Sequence, residues 1–550
     1  MAAGTSRRRV GSAALALVTA LTVAACGGDD SSEEGGGGGV IVNVNTGGSA
    51  TFTRNFNPYS PNVQTGAAGT IYEPLFFYNL ASNDEPMPLL GTDFEYSEDG
   101  RTLTITTREG VQWSDGEPFT AADVAFTFNS LMDPAFNRTN IPLTSAEAID
   151  DNTVVLTFSR PAFRDEWNIL GQQMILPEHI WSEVEDPANF LNENPVGTGP
   201  FILTEFSQQT FLLEANPNYW EEGVPAIDGL RFTAYSGNTA ANQALVAGQI
   251  DWGNTFIPDP ENSWINIDPE THHVPTISVY ITDFVPNLEQ WPTSDLAVRQ
   301  AISLGIDREE IIENVYYGTA RATNPEQLLT PRDDALIDTE FEYDPEAARE
   351  VLEDAGYTEG SDGIYVDPQG RRLSVTVKVV TGYTDYIQAL QTMQQDLAEV
   401  GIELEVEQVS FQQFSADRQT GNFELLIDGQ GGTPTPYHLY DRLLNSANTA
   451  PIGENAASNW ARYSNPEVDA LLNSIAETND QELIDDAVDQ LSQIFVEELP
   501  YIGLWQNPPN VTFLSERVTG WPTDDNPYAL PMGWAVPDLG IVARSLQPVE

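Results

Sequence analysis

Side chains able to do covalent or metal chemistry are scarce in this 550-residue chain. It holds four histidines, His179, His272, His273 and His438, and a single cysteine, Cys26. His272 and His273 are adjacent, so they do not share one helix face as an i, i+4 zinc-binding pair would. No P-loop, G-x-S-x-G, H-E-x-x-H or C-x-x-C motif occurs. The 83 acidic residues offer carboxylate pairs of the kind glycoside hydrolysis uses. Acids in such number are mostly solvated surface. Neither a catalytic centre nor a metal or cofactor is expected from these residues.

The one cysteine has a different chemistry. Arg7, Arg8 and Arg9 precede an uncharged, largely apolar run from Val10 to Ala25. That is the pattern of a secretory signal, and the run is too short to span a bilayer comfortably. Its end, Val23-Ala24-Ala25-Cys26, resembles the lipobox of bacterial lipoproteins. There the sulfur is alkylated by a diacylglyceryl group and the chain is cut before the cysteine. Two acyl chains give a stable anchor. The residues after Cys26 read GGDDSSEEGGGGG and cannot bury apolar surface. Residues 1–25 are therefore expected as a signal peptide and 26–39 as a tether, with the folded body held at the outer face of a cell membrane.

The composition of that body excludes some partners. The net charge of −60 over the full chain makes nucleic acid a poor one, because phosphate binding needs positive patches. The acids are spread along the chain and form a solvated, self-repelling surface, suited to high salt. With 41% hydrophobic residues the chain can bury large cores in two or three domains.

Mixed α/β text follows. Phe94–Ser97 and Leu103–Thr106 alternate around Asp99-Gly100, a hairpin signal. Thr120-Ala-Ala-Asp123 reads as a capping box opening a helix to Met132. Strand Leu230–Ala234, helix Asn238–Ala247 and strand Gln249–Trp252 form a short βαβ unit. Helices are also expected at Leu296–Gly305, from Asp307 to Tyr316, and from Asp344-Pro345 to Gly356. Strand Ser374–Val380, helix Tyr386–Val400, strand Ile402–Glu407, helix Phe411–Gln419 and strand Phe423–Ile427 make a βαβαβ run. Such a run implies a parallel sheet with right-handed crossovers. Ligands bind beyond the carboxyl ends of strands in open α/β sheets. Gly253-Asn254-Thr255 and Asp428–Gly432 are therefore expected to face a cleft.

Several segments, in order, resemble family 5 of the bacterial extracellular solute-binding proteins, receptors of oligopeptide-, dipeptide- and nickel-type ABC importers. They are Arg108–Asp123 (REGVQWSDGEPFTAAD), Val196–Phe201 (VGTGPF), Asn216–Trp220 (NPNYW) and Val298–Ser303 (VRQAIS) followed by Ile306-Asp-Arg308. The resemblance implies an α/β, two-lobed periplasmic-binding-protein type II fold that closes over its ligand about a hinge. Lobe I would comprise 40–80, 197–280 and 511–550, with an extra subdomain at 81–196. Lobe II would be 281–510. It also implies an ABC permease as partner, no enzyme activity, and a monomer.

The resemblance leaves the ligand open. Peptide-binding members usually place an Asp soon after the third strand of the second lobe, for the peptide's α-amine. Here that loop, Gly429–Tyr437, has no acid; Asp428 at the strand end can serve. The Gly-Gly-x-x-Pro-Tyr text looks more like members that bind β-linked oligosaccharides. Sugars need aromatic faces and hydrogen-bonding amides and acids. Trp252, Asn254, Asp428, Gln430, Tyr437, Trp460 and Trp505 are the candidate ligand-binding residues, and Trp113 and Trp220, inside the scaffold motifs, are expected in the core. An oligosaccharide is the first expectation and an oligopeptide the second; the scarcity of histidine and sulfur disfavours nickel. A lipid-anchored polysaccharide-degrading enzyme and an adhesion lipoprotein are the competing classes.

Overall fold

The computed structural model describes residues 39–549 apart from 48–49, 83, 134–140, 330–332 and 509. The apolar leader, Cys26 and the tether up to residue 38 lie outside the described residues. Val40–Glu550 forms one compact unit. No helix among the described residues is long and apolar enough to cross a membrane.

Two large sheets organise this unit. The first has seven strands, in the order His272–His273, Val511–Leu514, Trp252–Asn254, Ile41–Val44, Gly229–Thr233, Thr210–Ala215 and Phe201–Phe206. The strand Ile41–Val44 runs parallel to both Gly229–Thr233 and Trp252–Asn254. The short βαβ unit is thus split by an inserted strand. Its second strand begins at Trp252, later than the sequence suggests. Gln249 is still bonded to the helix, its N–H donating to the Ala244 carbonyl, and backbone bonding to the neighbouring strands starts only at Asp251, whose N–H donates to the Asn43 carbonyl.

The second sheet has six strands, in the order Arg321–Ala322, Ile502–Gln506, Tyr280–Pro286, Leu425–Gly431, Ser374–Val380 and Glu403–Val409. Its last three strands are parallel and carry the βαβαβ run. Alternation places Val375, Val377 and Val379 at 0% exposure in one core cluster. The helix Thr384–Val400 covers them with Leu390, Met393 and Leu397, and Gly401 ends it in the left-handed region at φ +91°. A separate cluster on the other face, including Leu426, Tyr440 and Phe495, lies under the helices Pro436–Leu444 and Gln481–Glu498.

The third strand of the run spans Leu425–Gly431 and does not stop at Ile427. Its antiparallel partner Tyr280–Pro286 extends the ladder to the pair Tyr280–Gly431. Gly429 permits this, because any Cβ there would collide with the Tyr280 ring.

A smaller four-stranded antiparallel sheet orders Gly91–Tyr96, Thr102–Thr107, Thr153–Phe158 and Leu143–Asp150. The helix Ala121–Ser130 packs on it behind the Thr120/Asp123 capping box. Its core is continuous with that of the seven-stranded sheet, and Trp113 lies fully buried there. Trp220 packs against the same core from a half-buried position.

Candidate functional site: a cavity between the two large sheets

A cavity of about 360 Å³ opens between the two large sheets. That volume falls in the range of about 300–1,000 Å³ usual for small-molecule sites. One wall comes from segments of the seven-stranded sheet and carries Thr46, Asn238, Asn254, Phe256 and Trp534. The other comes from the six-stranded sheet and carries Tyr280, Tyr383, Asp385, Tyr386, Arg418, Asp428 and Asn507. The walls touch where the helix Asn238–Val246 meets the N-terminus of Thr384–Val400. The Asn238 N–H donates to the Gly382 carbonyl at 3.3 Å, and a Cβ on Gly237 would lie 3.0 Å from the Gly382 Cα.

Of the seven residues singled out from sequence, Asn254 and Asp428 line this cavity. Both polar ends of Asn254 are held by backbone. Its Nδ2 donates to the Asn45 carbonyl at 2.7 Å, and its Oδ1 accepts from the Gly533 N–H at 2.6 Å. The second bond holds the turn that presents Trp534 to the cavity. Asp428 is paired with Arg418 at 2.6 Å, and the guanidinium lies 3.8 Å over the Trp460 ring. Trp460 therefore reaches the cavity through Arg418 and is not part of its lining.

The other four stand back from the cavity wall. Trp252 is 0% exposed and packs edge-on against Trp521, with its indole N–H donating to the Pro531 carbonyl at 2.8 Å. Trp505 is likewise 0% exposed. It backs the wall, with its ring 6.2 Å from Tyr386 and its Nε1 donating to Asn507 Oδ1 at 2.6 Å. Tyr437 is buried in the core cluster below the six-stranded sheet. Gln430 is buried beside Leu439 and Thr433, because its strand continues past Asp428 and Gln430 shares the face of Ile281, its partner across the ladder.

The aromatic surface of the cavity comes from other residues. Trp534 is 37% exposed, and its ring meets Tyr280 at 5.4 Å and 69°. Tyr383 and Tyr386 form a second edge-on pair at 6.0 Å. The Tyr386 hydroxyl is shared with Thr282 Oγ1 at 3.0 Å. Trp534 sits in an irregular segment after Pro531, where no periodicity exists to read. Tyr383 and Asp385 were within reach of the strand-end rule, since they follow the carboxyl end of Ser374–Val380, the first strand of the run.

Asp385 differs from Asp428 in its surroundings. It is 5% exposed, and burial pushes its carboxyl up to about 6 against the lowering effect of first-turn backbone N–H groups and Asn238. Asn238 Nδ2 donates to it across the cavity at 3.3 Å. Among the described residues no Lys or Arg forms an ion pair with it. Nor does any group of three or more His, Cys, Asp or Glu among the described residues make a metal site.

Residues 85–451 match the model of the bacterial extracellular solute-binding proteins, family 5, middle region. The glutathione-binding protein GsiB of Shigella dysenteriae is 27% identical over 555 residues, 97% of each chain. A periplasmic oligopeptide-binding protein of an oligopeptide ABC transporter from Thermotoga maritima, solved with mannohexaose bound, superposes with a TM-score of 0.84. It is 27% identical and covers 92% of this chain and 98% of its own. The fold is also that of the oligopeptide-binding protein AppA of Bacillus subtilis, solved with a nonapeptide. That TM-score is 0.79, at 24% identity over 93% of this chain and 99% of the other. With the two sheets facing each other across a ligand-sized cavity and two thirds of the chain matching the family model, this protein belongs to the bacterial extracellular solute-binding proteins of family 5.

Proposed function

We propose that this member is the receptor of an ABC importer that closes over an uncharged oligosaccharide and delivers it to the permease. The family consists of solute-binding receptors of the peptide ABC importer class, not of enzymes. The choice of sugar over peptide is the finer step, and one observation carries it. Asp428, the acid at the strand end, is already neutralised by Arg418 at 2.6 Å. A buried peptide ammonium needs its own acid, because an unpaired buried charge is costly. A sugar needs flat rings and hydrogen-bonding groups, which Trp534, Tyr280, Tyr383, Tyr386 and Asn507 supply. The mannohexaose bound to the Thermotoga maritima relative supports the same reading. A peptide is the second reading, favoured by Asp385, an acid on the cavity wall without a basic partner.

The receptor is proposed to be held at the outer membrane face through lipid on Cys26. The support is the lipobox-like Val23-Ala24-Ala25-Cys26 and the absence of any other cysteine in the sequence.

A thermal-shift screen of the purified protein separates the two ligand classes, since a ligand that binds only the folded state raises its stability. The panel is manno-, cello- and xylo-oligosaccharides beside di- to pentapeptides and glutathione. Stabilisation by an oligosaccharide is expected. Stabilisation by peptides alone reverses the choice.

A further inference from the structure

Two acids line the cavity, and their surroundings divide the work between them. Asp428 is occupied: Arg418 Nη1 lies 2.6 Å from it, and the arginine is in turn stacked on Trp460. Asp385 has no such partner. It stands in the first turn of the helix Thr384–Val400, where the backbone N–H groups favour an anion. Its one side-chain donor is Asn238 Nδ2, at a long 3.3 Å, and that amide is shared with Thr384 Oγ1 at 3.2 Å. A carboxylate has about four acceptor sites, so Asp385 keeps acceptor capacity on the cavity wall. The Asn238 bond comes from the opposite wall, so the dyad forms only where the two walls meet.

We propose that Asp385 is the principal polar anchor for the ligand, accepting hydrogen bonds from two neighbouring hydroxyls of one sugar ring while Asn238 closes on it from the other wall. This rests on the oligosaccharide reading above. It assigns the specificity-determining carboxylate to the helix after the first parallel strand, not to the end of the third. The geometry suits a vicinal diol, because the two oxygens of one carboxylate can each accept one O–H. The ring carrying that diol then has Tyr383 and Tyr386 beside it, two residues before Asp385 and one after. The acceptor capacity that the first-turn N–H groups and Asn238 leave open is what a diol would use.

The test is calorimetry with mannohexaose, cellohexaose and xylohexaose on the purified protein and on Asp385→Asn, Asp385→Glu and Asp428→Asn, with thermal unfolding of each ligand-free protein. Charge-assisted hydrogen bonds of this kind predict about a tenfold to hundredfold loss of affinity for Asp385→Asn. The ligand-free melting temperature should stay level or rise, because a buried acid without a basic partner becomes a neutral amide. A purely scaffolding Asp385 would lower it. Asp385→Glu, which keeps the charge but displaces it, should also weaken binding. Affinity for Asp385→Asn within threefold of wild type overturns the assignment while leaving the oligosaccharide reading standing. So does an equal loss at Asp428→Asn, which would mark general cavity charge as the cause. If the wild type binds none of the three sugars, the oligosaccharide reading itself fails and the diol assignment falls with it.

Discussion

Replacing Trp534 with alanine separates the cavity as built from the one read in the sequence. The ring is 37% exposed on the cavity wall, and its buried part rests on Tyr280. A tryptophan can bury about 250 Å², so its open face amounts to roughly 90 Å². Covering that face with the apolar side of a sugar ring, at about 25 cal/mol/Å², is worth roughly 2 kcal/mol. Trp534→Ala should therefore weaken oligosaccharide binding about thirtyfold. Trp252→Phe and Trp505→Phe are the controls. Both parents are 0% exposed and each donates its indole N–H within the fold, so these variants should lose thermal stability. Calorimetry with the stabilising oligosaccharide reads affinity, and a melting curve on each ligand-free protein reads folding. An affinity for Trp534→Ala within threefold of wild type, in a protein that remains folded, would refute the stacking argument. A larger affinity loss at Trp252→Phe than at Trp534→Ala would refute the placement of the binding face.

Gly237→Ala should hold the walls apart: its Cβ would lie 3.0 Å from the Gly382 Cα, and overpacking of this kind costs about 1–3 kcal/mol. Affinity should fall about tenfold or more, and small-angle scattering should show a larger radius of gyration for the liganded variant than for liganded wild type; equal radii and affinities count against closure at this contact. Asp538 is buried, accepts the Leu530 N–H at 2.8 Å, and is raised by burial from 3.8 to about 7. The folded state thus keeps a proton that the unfolded chain releases, so this group's contribution to stability declines as pH rises from about 4 to 7 and is flat above. Urea unfolding at pH 4.5 and 7.5 should show a smaller loss across that interval for Asp538→Asn than for wild type, and an identical loss would discount the group. Cys26→Ser should release the protein to the medium or leave it unprocessed, and a mature, detergent-extractable variant would contradict lipid anchoring at this residue.

Local chemistry was sufficient for most of the elements. Thr120 with Asp123, Asp344 with Pro345, and Gly401 mark helix ends because caps and left-handed turns are satisfied within a few residues. The valines of Ser374–Val380 declare a buried strand because side-chain alternation is a property of the strand itself. The family motifs, read in order, likewise identified the two-lobed receptor class without any contact being known. The ligand-facing surface was another matter. Whether a tryptophan meets ligand or core depends on what packs against it from elsewhere, and Trp252 and Trp505 are sealed by Trp521, Tyr316 and Tyr386. Trp534 reaches the cavity because Asn254 captures the Gly533 N–H across 279 positions of sequence. In the one-dimensional text Asp428 is an acid at a strand end that can serve an amine, yet the preceding helix Phe411–Thr420 brings Arg418 to it. Asp385 is one of 83 acids, and the strand-end rule marks only its place after Ser374–Val380, not its surroundings. Its isolation from basic groups and its contact with Asn238 arise only when two helix N-termini, 146 and more residues apart, are brought together across the cavity. Propensity and patterning act over a few residues, whereas burial and charge pairing are set by segments that meet only in the folded chain.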